Sequence, residues 1–131
     1  MMELRQAVLT SGSSGESATA TLTPSITGKL VKIEILNSTT VQPSDNWDLT
    51  VYTGTTGGND AETLFYDETI SQANTSKIVY YPLKAASKAA DGTASTLSEI
   101  PAIVYSKNVK LIGANMGNSK SAQVILIFEV E

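Results

Sequence analysis

Cysteine and histidine are both absent from this chain of 131 residues. The first absence excludes disulfides, thiolate metal sites and cysteine nucleophiles, and leaves the redox compartment open. The second removes the commonest general base, the usual transition-metal ligand and the ordinary physiological pH switch. A hydrolase built on a Ser/His/Asp arrangement is impossible here. Long apolar runs are missing too: none approaches the roughly 18 residues of a membrane-spanning helix. Residues 1–10 lack the basic end and continuous apolar block of a signal peptide. A soluble, unexported protein with no membrane partner is expected. Basic residues are few, nine against thirteen acidic ones for a formal charge of −4, and they are scattered from Arg5 to Lys120. A surface of this kind neutralises phosphates poorly, so direct nucleic-acid binding is not expected.

What the chain has is Thr, Ser, Val and Ile in strand-like alternation. Residues 3–9 form a first candidate strand, with Leu4 and Val8 on one side. A Ser/Gly-rich connector, residues 11–16, leads to a half-buried strand over 17–23, in which Ala18, Ala20 and Leu22 alternate with threonines. Residues 29–37 place Val31, Ile33 and Ile35 inward against Lys32 and Glu34. Trp47, Leu49 and Val51 alternate with Asp48, Thr50 and Tyr52, and Trp47 is expected to cap one end of the core. The Gly-rich turn at 54–60 joins this strand to residues 62–66 as a hairpin. Pro82 restricts the strand at 77–83 to an edge or a strand end. Residues 84–98 are irregular, with one helical turn possible at 84–90 before Asp91-Gly92. Strands at 101–106, 109–115 and 121–131 follow, the last two read as a terminal hairpin through Met116-Gly117-Asn118-Ser119. Eight or nine short strands about ten residues apart point to an all-β fold. The expected form is an antiparallel β-sandwich, jelly-roll-like, over residues 17–131 and preceded by an N-terminal strand or arm at 1–16.

The last strand carries a surplus. Val124, Leu126, Phe128 and Val130 share one face, while Gln123, Ile125, Ile127 and Glu129 share the other. The second face would be wet in a one-sided sheet, yet each of its isoleucines is worth about 1.5–3 kcal/mol when buried. Cover from elsewhere in the chain or from a neighbouring subunit is expected.

Catalytic and ligand patterns are weaker. Asp45, Asp48, Asp60, Glu62, Asp67 and Glu68 are numerous enough for paired carboxylates or Ca²⁺, but the spacing fits neither a glycosidase nor an Asp-x-Asp-x-Asp-Gly loop, and a solvated loop is the simpler reading. Trp47, Tyr52, Phe65, Tyr66, Tyr80, Tyr81 and Tyr105 offer a sugar-stacking platform or, more simply, core and contact residues. Gly54, Gly57 and Gly58 lack the Lys-Ser/Thr of a phosphate-binding loop and read as turn glycines. Lys84 and Lys88, beside alanines, suit an amphipathic contact or an exposed loop. No cofactor or metal is expected, and no enzyme.

From residue 77 onward the order of features resembles head decoration, or cement, proteins of tailed bacteriophages and related small virion structural proteins. Tyr80-Tyr81-Pro82 ends a strand, Asp91-Gly92-Thr93 lies in the following loop, Ile100-Pro101 comes next, and a hairpin closes with residues 124–131. Upstream, Gly28-Lys29-Leu30 before the Val31/Ile33/Ile35 strand also fits. Family members often carry an arginine shortly after the Tyr-Tyr-Pro element, whereas Leu83 and Lys84 follow here, so that arginine's contact does not carry over. The resemblance implies a non-enzymatic protein of the virion, made in the host cytoplasm, that binds the major capsid protein on the outer capsid surface, commonly as a homotrimer. Leu4, Val8, Ile125, Ile127, Lys84 and Lys88 are the expected subunit or capsid contacts, with residues 1–16 able to add to a neighbour's sheet edge. The competing expectation is a carbohydrate- or receptor-binding module of a tail fibre or surface protein.

Overall fold

The computed structural model describes residues 1–54, 61–71, 77–82 and 101–130. Among them are nine strands and no helix: β1 (Met2–Thr10), β2 (Ala18–Thr21), β3 (Ile26–Asn37), β4 (Trp47–Thr53), β5 (Glu62–Ile70), β6 (Ile78–Tyr80), β7 (Ala102–Lys107), β8 (Val109–Ala114) and β9 (Ser121–Glu129). One sheet runs β1-β9-β3-β6 with β7 also on β3, and the other runs β2-β8-β4-β5. The pairs β1·β9, β2·β8, β3·β6 and β4·β5 are all antiparallel and nest one inside the next. A long ribbon rolled over itself produces this order, with its rungs falling alternately in the two sheets. It is the jelly-roll form of the β-sandwich.

The core follows from the period-two alternation. Leu30, Ile33 and Ile35 of β3 and Val124, Leu126 and Phe128 of β9 are shielded completely, and they meet Trp47, Leu49 and Val51 of β4 and Val109 and Leu111 of β8 from the other sheet. β3 is long, roughly 40 Å at about 3.3 Å per residue. Its free side therefore accommodates β7 along Ile26–Leu30 and β6 along Ile33–Ile35. Gly28 is required where β3 passes the end of β9, because a Cβ there would lie 2.5 Å from the Glu129 carbonyl oxygen.

Two sequence expectations are corrected. Val31 does not face inward: the register with β9 shifts between Leu30 and Lys32, so Val31 is the extra residue of a bulge and only Ile33 and Ile35 resume the inner row. Residues 109–115 and 121–131 are not a hairpin, since β8 and β9 lie in different sheets. The connection between them is a crossover, shaped by positive φ at Asn115, Gly117 and Ser119. It is stitched to two other crossovers: Met116 N–H donates to the Glu16 carbonyl (2.9 Å) and Ser44 N–H to the Met116 carbonyl (2.8 Å). The buried Ser11 hydroxyl accepts from Lys120 N–H (2.9 Å) and donates to the Gly117 carbonyl.

The hairpin of β4 and β5 is present, and β6 is an edge strand as Pro82 requires. Residues 1–16 belong to the body here: β1 pairs with β9 of its own chain from Met2 to Thr10. The expected turn residues 55–60, the possible helical turn at 84–90, Asp91-Gly92-Thr93 and Ile100 lie outside the described residues.

Trp47 is wholly internal, and its indole N–H donates to Asn37 Oδ1 at 3.1 Å, while Asn37 Nδ2 donates to the Ser71 carbonyl at 2.9 Å. Asn37→Ala removes the acceptor of a buried indole, which costs about 1–3 kcal/mol. Urea unfolding should show a lowered midpoint at unchanged slope.

Candidate functional site

The inner faces of both sheets are apolar, as a sandwich demands, but the outer faces differ from each other. In the sheet of β2, β8, β4 and β5 the outward rows are mostly threonine and polar: Thr19, Ile112, Thr50 and Tyr66 in one, Thr21, Lys110 and Tyr52 in another. The outer face of the β1-β9-β3 sheet is instead rich in unshielded apolar side chains. Register places Leu4 beside Ile127 and then Lys32, and Gln6 beside Ile125, Glu34 and Val79. Leu4 is 56% exposed, Val8 62% and Ile103 of β7 60%. Met2, Val79 and Tyr105 are further exposed members of the same face. These apolar residues are interspersed with Gln6, Gln123, Lys32 and Glu34; scattered surface hydrophobes are ordinary, and their concentration on one face makes that face a candidate contact surface.

Charge on this face is concentrated at β3 and beside β6. Glu34 lies nearly shielded between Lys77 Nζ (2.7 Å) and Lys32 Nζ (3.2 Å). Hydrogen bonds from Lys77 and then Lys32 hold its carboxyl below the ordinary glutamate range, outweighing the upward push of burial. Two lysines on one carboxylate leave the cluster net positive. Lys32 also lies 5.9 Å from the Tyr81 ring centroid, and the lysine stems cover apolar surface while their ammonium groups reach water.

The expected contact residues Leu4, Val8, Ile125 and Ile127 therefore share one face. The two isoleucines are half-buried within the protomer, while Leu4 and Val8 are open. Lys84 and Lys88 lie outside the described residues. Met2, Val79 and Ile103 were not singled out from sequence, and Tyr105 was read only among the aromatic and contact residues; Ala-Ile-Val-Tyr at 102–105 is apolar throughout, and it is the burial of Ala102 and Val104 that turns Ile103 and Tyr105 outward.

At the opposite margin, where β5 meets β6, Phe65 and Tyr80 stack at 4.9 Å between centroids, tilted by 52°. Tyr80 donates a short hydrogen bond to Asp67. Burial, and then this bond, push the Tyr80 phenol well above its usual range. Asp67 is raised by burial but lowered more by Tyr80 and by the Thr69 N–H and hydroxyl, each 2.9 Å away, so its carboxyl ends below the ordinary range. Tyr66 is exposed and donates to Glu68 Oε2 at 3.1 Å. That bond, with burial and the negative charges of Glu68, Asp48 and Asp67, raises its phenol. Thr63, Phe65, Tyr66, Tyr80, Tyr81 and Pro82 border a depression of about 450 Å³. Trp47 takes no part in an aromatic platform, being internal. Among the described residues no cluster of three or more Asp or Glu is placed to hold a metal ion.

No protein-family model matches the chain, and no curated protein matches it. Among solved structures it is similar to the crystal structure of FLHE, with a TM-score of 0.40 and 9% identity over 98% of this chain and 97% of that one. It is also similar to part of the structure of infectious bursal disease virus Gx strain, with a TM-score of 0.34 and 10% identity over 98% of this chain and 32% of that one, so it spans about a third of that viral chain. Likenesses this distant carry no functional argument.

The Glu34 cluster generates a pH prediction. A carboxyl with a lowered folded pKa contributes stability that is complete above its unfolded value, near 4.5, and is lost as pH falls through the folded value. Glu34→Gln should therefore be less stable than the parent at neutral pH. The gap should narrow steadily in acid below about pH 4.5, read by thermal unfolding of both proteins across pH.

Proposed function

We propose that this chain is a non-enzymatic virion structural protein that binds the outer surface of a tailed-phage capsid as a homotrimer, joining neighbouring capsomers. The observation that carries the reading is the apolar outer face of the β1-β9-β3 sheet, where Leu4, Val8 and Ile103 stand open to water. A lone domain gains nothing from that exposure, whereas a subunit does. Each contact can be weak, because several joined copies engage a repeating shell at once and add their affinities through effective concentration. The sequence order Tyr80-Tyr81-Pro82, Asp91-Gly92-Thr93 and Ile100-Pro101 supports the virion assignment through its resemblance to decoration proteins, whereas the terminal hairpin of that resemblance is replaced by a crossover between sheets.

The test is co-sedimentation of the full chain with purified capsids of the phage that encodes it. Saturable binding is expected. Leu4→Asp combined with Val8→Asp should lower capsid occupancy about tenfold or more at fixed concentration, a change of at least 1.4 kcal/mol, while leaving the thermal unfolding curve in place. Absence of any capsid-bound fraction for the parent chain overturns the reading.

A second reading, a carbohydrate- or receptor-binding module, draws on the aromatic depression between β5 and β6. Tyr81, 69% exposed, and Tyr66 offer ring faces on which a pyranose can stack, with the Glu68 carboxylate beside them. If this reading holds, glycan-array binding appears and is abolished by Tyr81→Ala with folding intact. No array signal from the parent chain removes it.

A further inference from the structure

The outer face of the first sheet has two chemically distinct halves. Toward β1 and β9 it carries an apolar strip at Leu4 and Ile127, with Ile125 half-buried and Val8 open beyond the neutral Gln6–Gln123 pair, and its one charged residue is Glu129 at the end of β9. Toward β3 and β6 it is cationic, because Lys32 and Lys77 share the single carboxylate of Glu34. The reciprocal pattern exists elsewhere on the same chain. Neither β4 nor β5 contains a lysine or arginine. Their outer margin presents Tyr66, 54% exposed, among the carboxylates of Glu68, Asp48 and Asp67.

We infer that the outer face of the β1-β9-β3 sheet is occupied by the β4–β5 margin of a second copy of this chain, in a head-to-tail contact. In such a contact the Tyr66 ring lies on the Leu4/Ile127 strip while Glu68 and Asp48 approach Lys77 and Lys32. Like-on-like packing of two outer faces is the poorer solution. It would set the lysine cluster of one copy against either the lysine cluster or the apolar strip of the other. Charges of one sign brought together, or desolvated without a partner, disfavour that arrangement. The two complementary surfaces lie on different sheets of the sandwich, so each copy presents one socket and one plug. A heterologous contact of this kind adds copies until a ring closes or a filament grows. The inference rests on reading the outer face as a joining surface and adds the identity of what it joins.

Complementation between two variants tests it, with solution mass measured by light scattering on the full chain. The parent protein should assemble beyond the monomer, and added salt should weaken the assembly, since charge pairs at a rim are screened. Leu4→Asp blocks the socket and Glu68→Lys blocks the plug, and each protein alone should be monomeric while still unfolding in one cooperative thermal transition, lower than the parent's only by the stabilisation that assembly adds. Mixed in equal amounts, above the concentration at which the parent assembles, they retain one working socket and one working plug between them. A 1:1 pair should form and grow no further. Should Leu4→Asp disturb β1, Val8→Asp blocks the same strip. A mixture that stays monomeric overturns the inference, as does a parent chain that is a strict monomer or stops at a two-fold dimer. A parent chain that sediments with capsids as a trimer unaffected by Leu4→Asp and Glu68→Lys defeats this inference while leaving the capsid reading standing, and assembly that follows the complementation pattern without capsid binding separates them in the other direction.

Discussion

Pairing of β9 with β3 is the contact on which the rest of the molecule depends. It brings together two rows whose inner residues, Leu30, Ile33 and Ile35 against Val124, Leu126 and Phe128, are removed from water entirely. Each such side chain contributes about 1.5–3 kcal/mol by burial. β1 then pairs with the far side of β9, and β6 and β7 pair with the far side of β3. Because successive side chains point opposite ways, fixing the inner row also fixes the outer one. Ile125 and Ile127 face outward as a consequence of Val124 and Leu126 facing inward.

A sandwich has two open flanks as well as two faces, and each flank is closed by a polar latch. Beside β1, Arg5 bonds the Pro24 carbonyl at 3.1 Å and is held by Glu3 at the same distance. Beside β6, the Tyr80 hydroxyl bonds Asp67 across from one sheet to the other. An inward-pointing charged residue on an edge strand also discourages unwanted strand addition there.

Much of the fold was legible because alternation is a strong signal in β2, β3, β4 and β9, while β6 and β7 were placed as short apolar segments between turn residues. Topology was less legible. The residues Asn115 to Ser119 are turn formers that serve a hairpin or a crossover equally well, and only Ser11 and Ser44, distant in sequence, decide between them. Val31 misled because a bulge shifts the phase of β3, and one apolar residue more or less leaves the alternation looking intact. The surplus isoleucines of β9 pointed to the face on which Leu4 and Val8 are also exposed. Its full extent depends on which strands lie beside β9, and that is set by long-range pairing invisible to a local pattern. Tyr80 and Asp67 likewise meet across thirteen positions only once the two sheets close.

The shared free side of β3 carries one last implication. β6 and β7 are each hydrogen-bonded to β3 independently, end to end along the same strand, and residues 83–100 connect them. The register of either strand is set by β3 and not by the length of that connection. Each of the two edge strands is thus anchored by its own ladder, so losing the pairing of one leaves the hydrogen bonds of the other to β3 in place.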